Sequence, residues 1–231
     1  MTRDHDIGAV LPAVAAAGLT AYWFPAVTRI APGLRRPFGI LDRVGGEVAL
    51  TFDDGPHPEG TPAVLEILRS HDVRATFFLV GEQVERRPAL AAEIVTAGHA
   101  VGTHCHRHRS LIRLTPGQVR SDLDRGSTLI AQATGRNPTL YRPPYGVLNA
   151  AALAFAARRG WTTMLWTRDG RDWERRATSE SIAARLTTSL APGDVLLLHD
   201  SDFYAAAGSW RRTVAALPRV LDAIAAVEAA T

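Results

Sequence analysis

Val48-Ala49-Leu50-Thr51-Phe52-Asp53-Asp54-Gly55-Pro56 is an apolar run that ends in two adjacent carboxylates and a turn. The run has the length and composition of a buried strand, and Gly55-Pro56 stops it. Two neighbouring aspartates at a strand mouth repel each other unless something separates their tasks. A metal ion does so, by taking one as a ligand and leaving the other free to move protons. Asp-Gly-Pro is also ordinary turn vocabulary, so the choice between turn and site rests on the residues downstream.

Outward from this stretch, short apolar runs alternate with amphipathic ones. Residues 48–52, 75–80, 100–103, 140–142, 162–166 and 195–198 read as strands. Residues 61–70, 89–97, 115–134, 149–159 and 179–190 read as helices, and 210–229 as a closing helix interrupted at Pro218. Thr115-Pro116 is a start signal for the longest of these and Gly135 a stop. Such alternation predicts an α/β fold, a parallel sheet with helices outside, open or closed into a barrel. Every polar cluster in the chain then falls at the C-terminal end of a strand, where parallel α/β folds build their sites.

With 231 residues, 46% hydrophobic and 21% charged, the chain has the size and balance of one globular domain. All 26 basic residues are arginine and they are scattered among acids, which excludes a nucleic-acid-binding patch. The single cysteine, Cys105, excludes an intrachain disulfide. Residues 1–40 differ from the rest, and the domain proper is expected over 41–231. Residues 7–27 carry no charge, are long enough for a membrane span, and end at Tyr22 and Trp23 with Arg29, Arg35 and Arg36 beyond. They are rich in alanine and broken by Gly8, Pro12, Gly18 and Pro25. Membrane contact through this segment is the favoured reading, with a helix packed on the domain or a cleaved signal peptide as alternatives, and cytoplasmic or secreted locations correspondingly open. Asp4 and Asp6 argue against a signal peptide, and the arginines favour a cytoplasmic bulk.

The second cluster is Gly98-His99-Ala100-Val101-Gly102-Thr103-His104-Cys105-His106-Arg107-His108, four of the eight histidines in the chain. His104 and His108 are four apart, so a tight loop aims both at one point. With one carboxylate they make a two-histidine, one-carboxylate metal site with open positions. His99 and His106 are read as structural or surface residues, and Cys105 as a small buried residue turned away from the site. In Leu140-Tyr141-Arg142-Pro143-Pro144-Tyr145-Gly146, two prolines fix where the Arg142 guanidinium and the next backbone N–H point. A fixed guanidinium holds a carboxylate, and a fixed N–H steadies an oxyanion. Trp166-Thr167-Arg168-Asp169-Gly170-Arg171-Asp172-Trp173 offers acids to orient a histidine and a tryptophan to wall a sugar groove. Leu196-Leu197-Leu198-His199-Asp200 brings a histidine out of a buried strand, in position for acid–base work.

Together and in this order, the five clusters resemble the polysaccharide deacetylase family, the fourth family of carbohydrate esterases, over residues 47–221. The resemblance implies a deformed (β/α)7-type barrel, here with an extra N-terminal apolar helix, that removes acetyl groups from N-acetylated sugars. It implies that Asp54, His104 and His108 hold one divalent metal ion and that Asp53 is the catalytic base. Arg142 would orient Asp53, and the Tyr145 N–H would complete the oxyanion hole. His199 would be the acid, tuned by Asp172, while Tyr145, Trp173 and Leu197 would bind substrate around the acetyl methyl group. Zinc is the default metal, though imidazole and carboxylate suit cobalt, nickel, iron and manganese as well. The expected partner is an N-acetylated glycan. Two departures stand out: Cys105 replaces the family serine or threonine of the metal loop, and Arg168 with Arg171 loads positive charge beside the cleft, which points to an anionic glycan. Other readings are the same chemistry on an acetyl ester, a formamide or a lipid-linked sugar, an iron oxygenase, and a non-catalytic glycan-binding module. The alternating pattern and the second aspartate argue against the oxygenase. Retention of Asp53, His199 and all three ligands argues against the module.

Overall fold

The computed structural model describes residues 20–230. The proposed span at 7–27 therefore lies outside the described residues up to position 19, and among the described residues no helix is long and apolar enough to cross a membrane. Residues 20–23 are helical and lead into a 3-10 turn, Phe24–Arg29. This stretch lies on the body of the protein: the Tyr22 hydroxyl donates to Leu114 O (2.7 Å) and Trp23 Nε1 to Ile112 O (3.1 Å). Arg35, buried, donates to Thr28 O, to Trp166 O and to Asp42.

Eight strands follow: β1 (Ile40–Leu41), β2 (Ala49–Asp53), β3 (Thr76–Leu79), β4 (Ala100–Thr103), β5 (Leu140–Tyr141), β6 (Thr162–Met164), β7 (Arg168–Asp169) and β8 (Val195–His199). All their pairings are parallel, in the order β1-β6-β5-β4-β3-β2-β8-β7. β6 and β7 are two halves of one kinked stretch, yet they pair towards opposite ends of this order. Between them Leu165 N donates to Leu41 O (2.8 Å) and Thr167 N to Val195 O (3.0 Å). The stretch thus ties one end of the sheet to the other and curls it into the deformed (β/α)7-type barrel expected from the sequence. A boundary at residue 40 falls within β1, which is itself part of the sheet.

Alternation along the strands sorts the core into two layers. Leu50 and Phe52 of β2, Phe77 and Leu79 of β3 and Leu196 and Leu198 of β8 pack outward with the helices. Phe78, Tyr141, Val195 and Leu197 belong to a second cluster with Met164 and Trp166. The helices are α1 (Gly60–Ser70), α2 (Gly81–Arg86), α3 (Pro88–Thr96), α4 (Pro116–Thr134), α5 (Ala150–Arg158), α6 (Ser179–Thr187) and α7 (Ser209–Glu228). Thr115 caps α4 in a capping box with Gln118, and Gly135 ends it at φ 68. The expected interruption at Pro218 is not found, because α7 runs through it unbroken. Loss of one backbone donor costs about 3 kcal/mol. Here Ala216, Leu217, Val220, Leu221 and Ile224 are buried on both sides of the proline, and their continuous apolar face outweighs that loss.

α4 supports the histidine loop at very close range. A Cβ at Gly126 would lie 2.7 Å from Cys105 C and from His106 N. In an exposed helix, Gly→Ala gains up to about 1 kcal/mol. At this position overpacking costs about 1–3 kcal/mol instead. Gly126→Ala should therefore lower the calorimetric Tm by roughly 3–10 °C, whereas a rise in Tm would show that helix and loop are not in this contact.

Candidate metal and catalytic site

Asp53 is the last residue of β2 and faces the barrel interior. By the pleat, the next residue should turn away towards the helices. Asp54 has φ 79, in the left-handed region that aspartate tolerates better than most residues, and this ends the strand geometry. Both carboxylates consequently reach the same place: His104 Nε2 lies 3.5 Å from Asp54 Oδ1 and 3.8 Å from Asp53 Oδ2. His104 follows β4, and Cys105 beyond it has φ 68, which turns the chain so that His108 returns to the site. His108 Nε2 is 3.4 Å from Asp54 Oδ1. The ligand atoms of Asp54, His104 and His108 all lie within 4.8 Å of one another.

This donor set fits a divalent cation. His104 Nδ1 lies 2.7 Å from Arg142 O; a carbonyl only accepts, so the proton is on Nδ1 and the Nε2 lone pair faces Asp54. Burial pushes the pKa of both His104 and His108 down to about 3, so both rings are neutral. Asp54 Oδ1 is buried with no hydrogen-bond donor among the described residues, and burial, with Asp53 nearby, pushes its pKa up to about 7. The His104 lone pair, the neutral His108 ring and a carboxylate oxygen without a donor converge, and a cation is the complement of all three. Tyr204 stacks on His108 (4.4 Å between centroids, 16° between planes), while its hydroxyl donates to Glu82 (2.6 Å) and accepts from Gln83 Nε2 (3.0 Å). The loop after β8 thereby holds one ligand ring against α2.

Asp53 has a separate partner. Arg142, fully buried, donates through NH1 to Asp53 Oδ1 (2.8 Å) and Thr51 Oγ1 (2.7 Å), and through Nε to Met164 O (3.1 Å). Its guanidinium lies over the Phe78 ring at 4.0 Å. Burial raises the Asp53 pKa against the opposing pull of this arginine. On the far side, His199 Nδ1 and backbone N donate to the two oxygens of Asp172 (2.7 Å each), and the Thr213 hydroxyl donates to Asp172 Oδ2 (2.7 Å). Burial works against a charged His199, but Asp172, with Asp54 and Asp53 beyond it, pushes its pKa up to about 10. His199 Nε2 lies 3.9 Å from Asp54 Oδ2.

These groups open on a cavity of about 360 Å3 that is also lined by Tyr145, Trp166, Trp173, Leu197, Tyr204, Asp169 and Arg29. Tyr145 and Trp173 are exposed at its rim, and Leu197 is buried at its wall. Tyr145 has φ 60 in the rigid turn after Pro143-Pro144. All the residues expected from the sequence to form the site are thus brought together. His99 and His106 are not: His99 Nδ1 accepts from Ala75 N, and His106 N donates to Asp122. Cys105 is buried with Leu111 and Leu123, and burial pushes its thiol pKa well up. The positive charge expected from Arg168 and Arg171 is spent elsewhere. Arg168 pairs with Asp194 (2.6 Å) and donates to Thr188 O and Ser189 O, and Arg171 pairs with Glu174 (3.3 Å). Sequence reading took Arg29 only as a charge flanking the apolar segment and missed its place in the cavity. It also missed Asp200, buried and bound to the Thr61 hydroxyl, whose pKa burial pushes up to about 7.

A parallel barrel with an Asp-His-His cluster at its strand ends defines a class of metal-dependent hydrolases, and the comparisons are specific within it. The chain belongs to the polysaccharide deacetylase family, whose model matches residues 42–164. A peptidoglycan-N-acetylglucosamine deacetylase of Bacillus cereus is 36% identical over 177 residues, 75% of this chain and 79% of that protein. A chitooligosaccharide deacetylase of a Bradyrhizobium species is 38% identical over 168 residues, 72% of this chain and 76% of that one. Among solved structures, a family 4 carbohydrate esterase from Streptomyces lividans in complex with acetate superposes with a TM-score of 0.71 at 35% identity, covering 79% of this chain and 90% of that one.

Because Asp54 must lose its proton to bind a cation, metal affinity measured by calorimetry should be flat above pH about 7 and fall by up to tenfold per unit below it. An affinity independent of pH between about 5 and about 7 would contradict this assignment. Asp54→Asn should weaken binding by at least the roughly 10–100-fold that loss of an outer partner costs. Tyr204→Ala should weaken it less, within about that same range, and Tyr204→Phe, which keeps the stacked ring, should recover much of the loss.

Proposed function

We propose that this protein removes acetyl groups from N-acetylated amino sugars of a glycan by metal-assisted hydrolysis, with zinc as the ion. The observation that carries this reading is the separation of two proton-handling groups around one ligand cluster: Asp53 on its arginine, His199 on its aspartate. Asp54, His104 and His108 would hold the ion, which supplies Lewis acidity to an amide carbonyl and to water.

The remaining steps belong to the chain's own side chains. Asp53 Oδ1 is bound to Arg142, which leaves Oδ2 to take a proton from the attacking water. Its buried position makes it a stronger base than an exposed aspartate. The Tyr145 N–H is the donor for the oxyanion in this reading. His199, held as an imidazolium by Asp172, gives its Nε2 proton to the departing amine. Trp173 and Leu197 close around the acetyl methyl group. N-acetylglucosamine is the sugar that fits the Bacillus relative's named activity, and chitooligosaccharides that of the Bradyrhizobium one.

Metal-loaded protein should release acetate from N-acetylglucosamine oligomers or peptidoglycan fragments, and mass spectrometry should find one acetyl group fewer per event. Formate in place of acetate, or turnover of acetyl esters alone, would reassign the substrate. Asp53→Asn should keep the metal and lower kcat by about 10²–10⁴. His104→Ala should lose both metal and turnover, and full activity without metal would end this reading. The pH–rate profile should be bell-shaped. Its acid limb is protonation of Asp53, and its basic limb is loss of the His199 proton, below about 10 because a bound cation disfavours the imidazolium.

A further inference from the structure

Arg29 is the one arginine among the described residues that line the catalytic cavity. It comes from the 3-10 turn Phe24–Arg29, ahead of the residues 42–164 matched by the family model. Its Nε donates to Tyr145 O (3.1 Å), and its guanidinium lies over the Trp166 ring at 5.5 Å. These contacts fix the side chain and leave NH1 and NH2 without a hydrogen bond or ion pair among the described residues. Asp169 lines the same cavity, but its Oδ1 accepts from Arg171 N (2.9 Å), and it forms no ion pair with Arg29. The free edge of a guanidinium presents two parallel donors, the geometry that receives a carboxylate.

A second groove, of about 430 Å3, also borders Tyr145 and is lined by Arg109, Ser110, Arg113 and Leu114 as well. Among the described residues no acid lines it. Arg109 is tied to Asp122 (2.7 Å), whereas Arg113 has no acidic partner among the described residues. Tyr145, 53% exposed, is the wall common to cavity and groove, so a sugar chain running from one to the other past its ring meets Arg29 in the cavity and Arg113 in the groove. Arg168 and Arg171, to which the sequence pointed, are both engaged with acids of their own.

We infer that Arg29 and Arg113 form an anion subsite around Tyr145, and that the glycan taken by this protein carries carboxylates close to the N-acetyl group that reacts. The inference rests on the deacetylase reading above and narrows its substrate class. It is tested with one N-acetylated oligosaccharide in two forms, with free carboxylates and with the same groups converted to carboxamides. The unmodified protein should favour the carboxylate form in kcat/KM by roughly tenfold, the scale of a charge-assisted pair in a partly open site. Added salt should shrink that preference. Arg29→Gln should bring the ratio near one, Arg29→Lys should keep much of it, and Arg113→Gln should reduce it in part.

A ratio near one in the unmodified protein would overturn the subsite. So would an Arg29→Gln variant that slows both forms in the same proportion, which makes Arg29 a brace for Tyr145 and no more. If metal-loaded protein releases acetate from neither form, the deacetylase reading fails, and equilibrium binding decides the subsite separately. Tighter binding of the carboxylate form that Arg29→Gln abolishes upholds it, and equal binding of both forms overturns it.

Discussion

The ion pair between Arg142 and Asp53 is the contact around which the barrel interior is organised. Its two partners are both buried, so each would be costly alone: leaving one of such a pair uncompensated costs about 3–5 kcal/mol. The cost is contained because every direction around the guanidinium is used, by Asp53, the Thr51 hydroxyl, two main-chain oxygens and the face of Phe78. The Arg142 carbonyl meanwhile fixes the tautomer of His104. One residue therefore holds the proposed base, Asp53, through its side chain and a proposed metal ligand, His104, through its backbone.

Electrostatic opposition does the rest. His104 and His108 are neutral because they are buried beside cationic neighbours, while His199, equally enclosed, is charged because Asp172 stands behind it. Burial works against charge on Asp172 as well, but the His199 charge with its hydrogen bonds, and the Thr213 hydroxyl, hold its pKa below the ordinary value. Three imidazoles in one cavity thus take two different charge states, set by what lies behind each ring.

Much of this was readable in the sequence where apolar runs are long enough to show a period. β2, β3, β4 and β8 are four- or five-residue strands and were legible. β1, β5 and β7 have two residues each, too few for alternation to register; β5 was legible because the apolar pair Leu140-Tyr141 leads into the Arg142-Pro143-Pro144 motif, whereas β1 follows Pro37 and Gly39 and β7 is Arg168-Asp169, which reads as loop. α2, of six residues, is shorter than two turns and has Val84 as its one apolar side chain, so no helical period shows in it. The motif residues of the site were legible because their spacing carries the chemistry. Arg168 was misread because its partner Asp194 is close in space only, and Arg29 was missed because nothing local tells that a turn near the N-terminus reaches the cavity.

The strands of the barrel are unevenly paired. β2 and β8 share five register positions, while β6 meets β1 and β5 over two each, β7 meets β8 over two and β4 meets β5 over one. Resistance to local opening follows such differences in hydrogen bonding and packing. The firm pairing carries Asp53, Asp54 and His199, where the proposed chemistry tolerates least displacement. Trp166 and Asp169 line the cavity beside the short pairings, and the bonds of Arg142 to Asp53 and His104 brace the shortest one, β4–β5. Precision and compliance are thereby assigned to neighbouring strands around one cavity, so that part of its wall can give way to a ligand while the five-residue pairing of β2 and β8 stays in place.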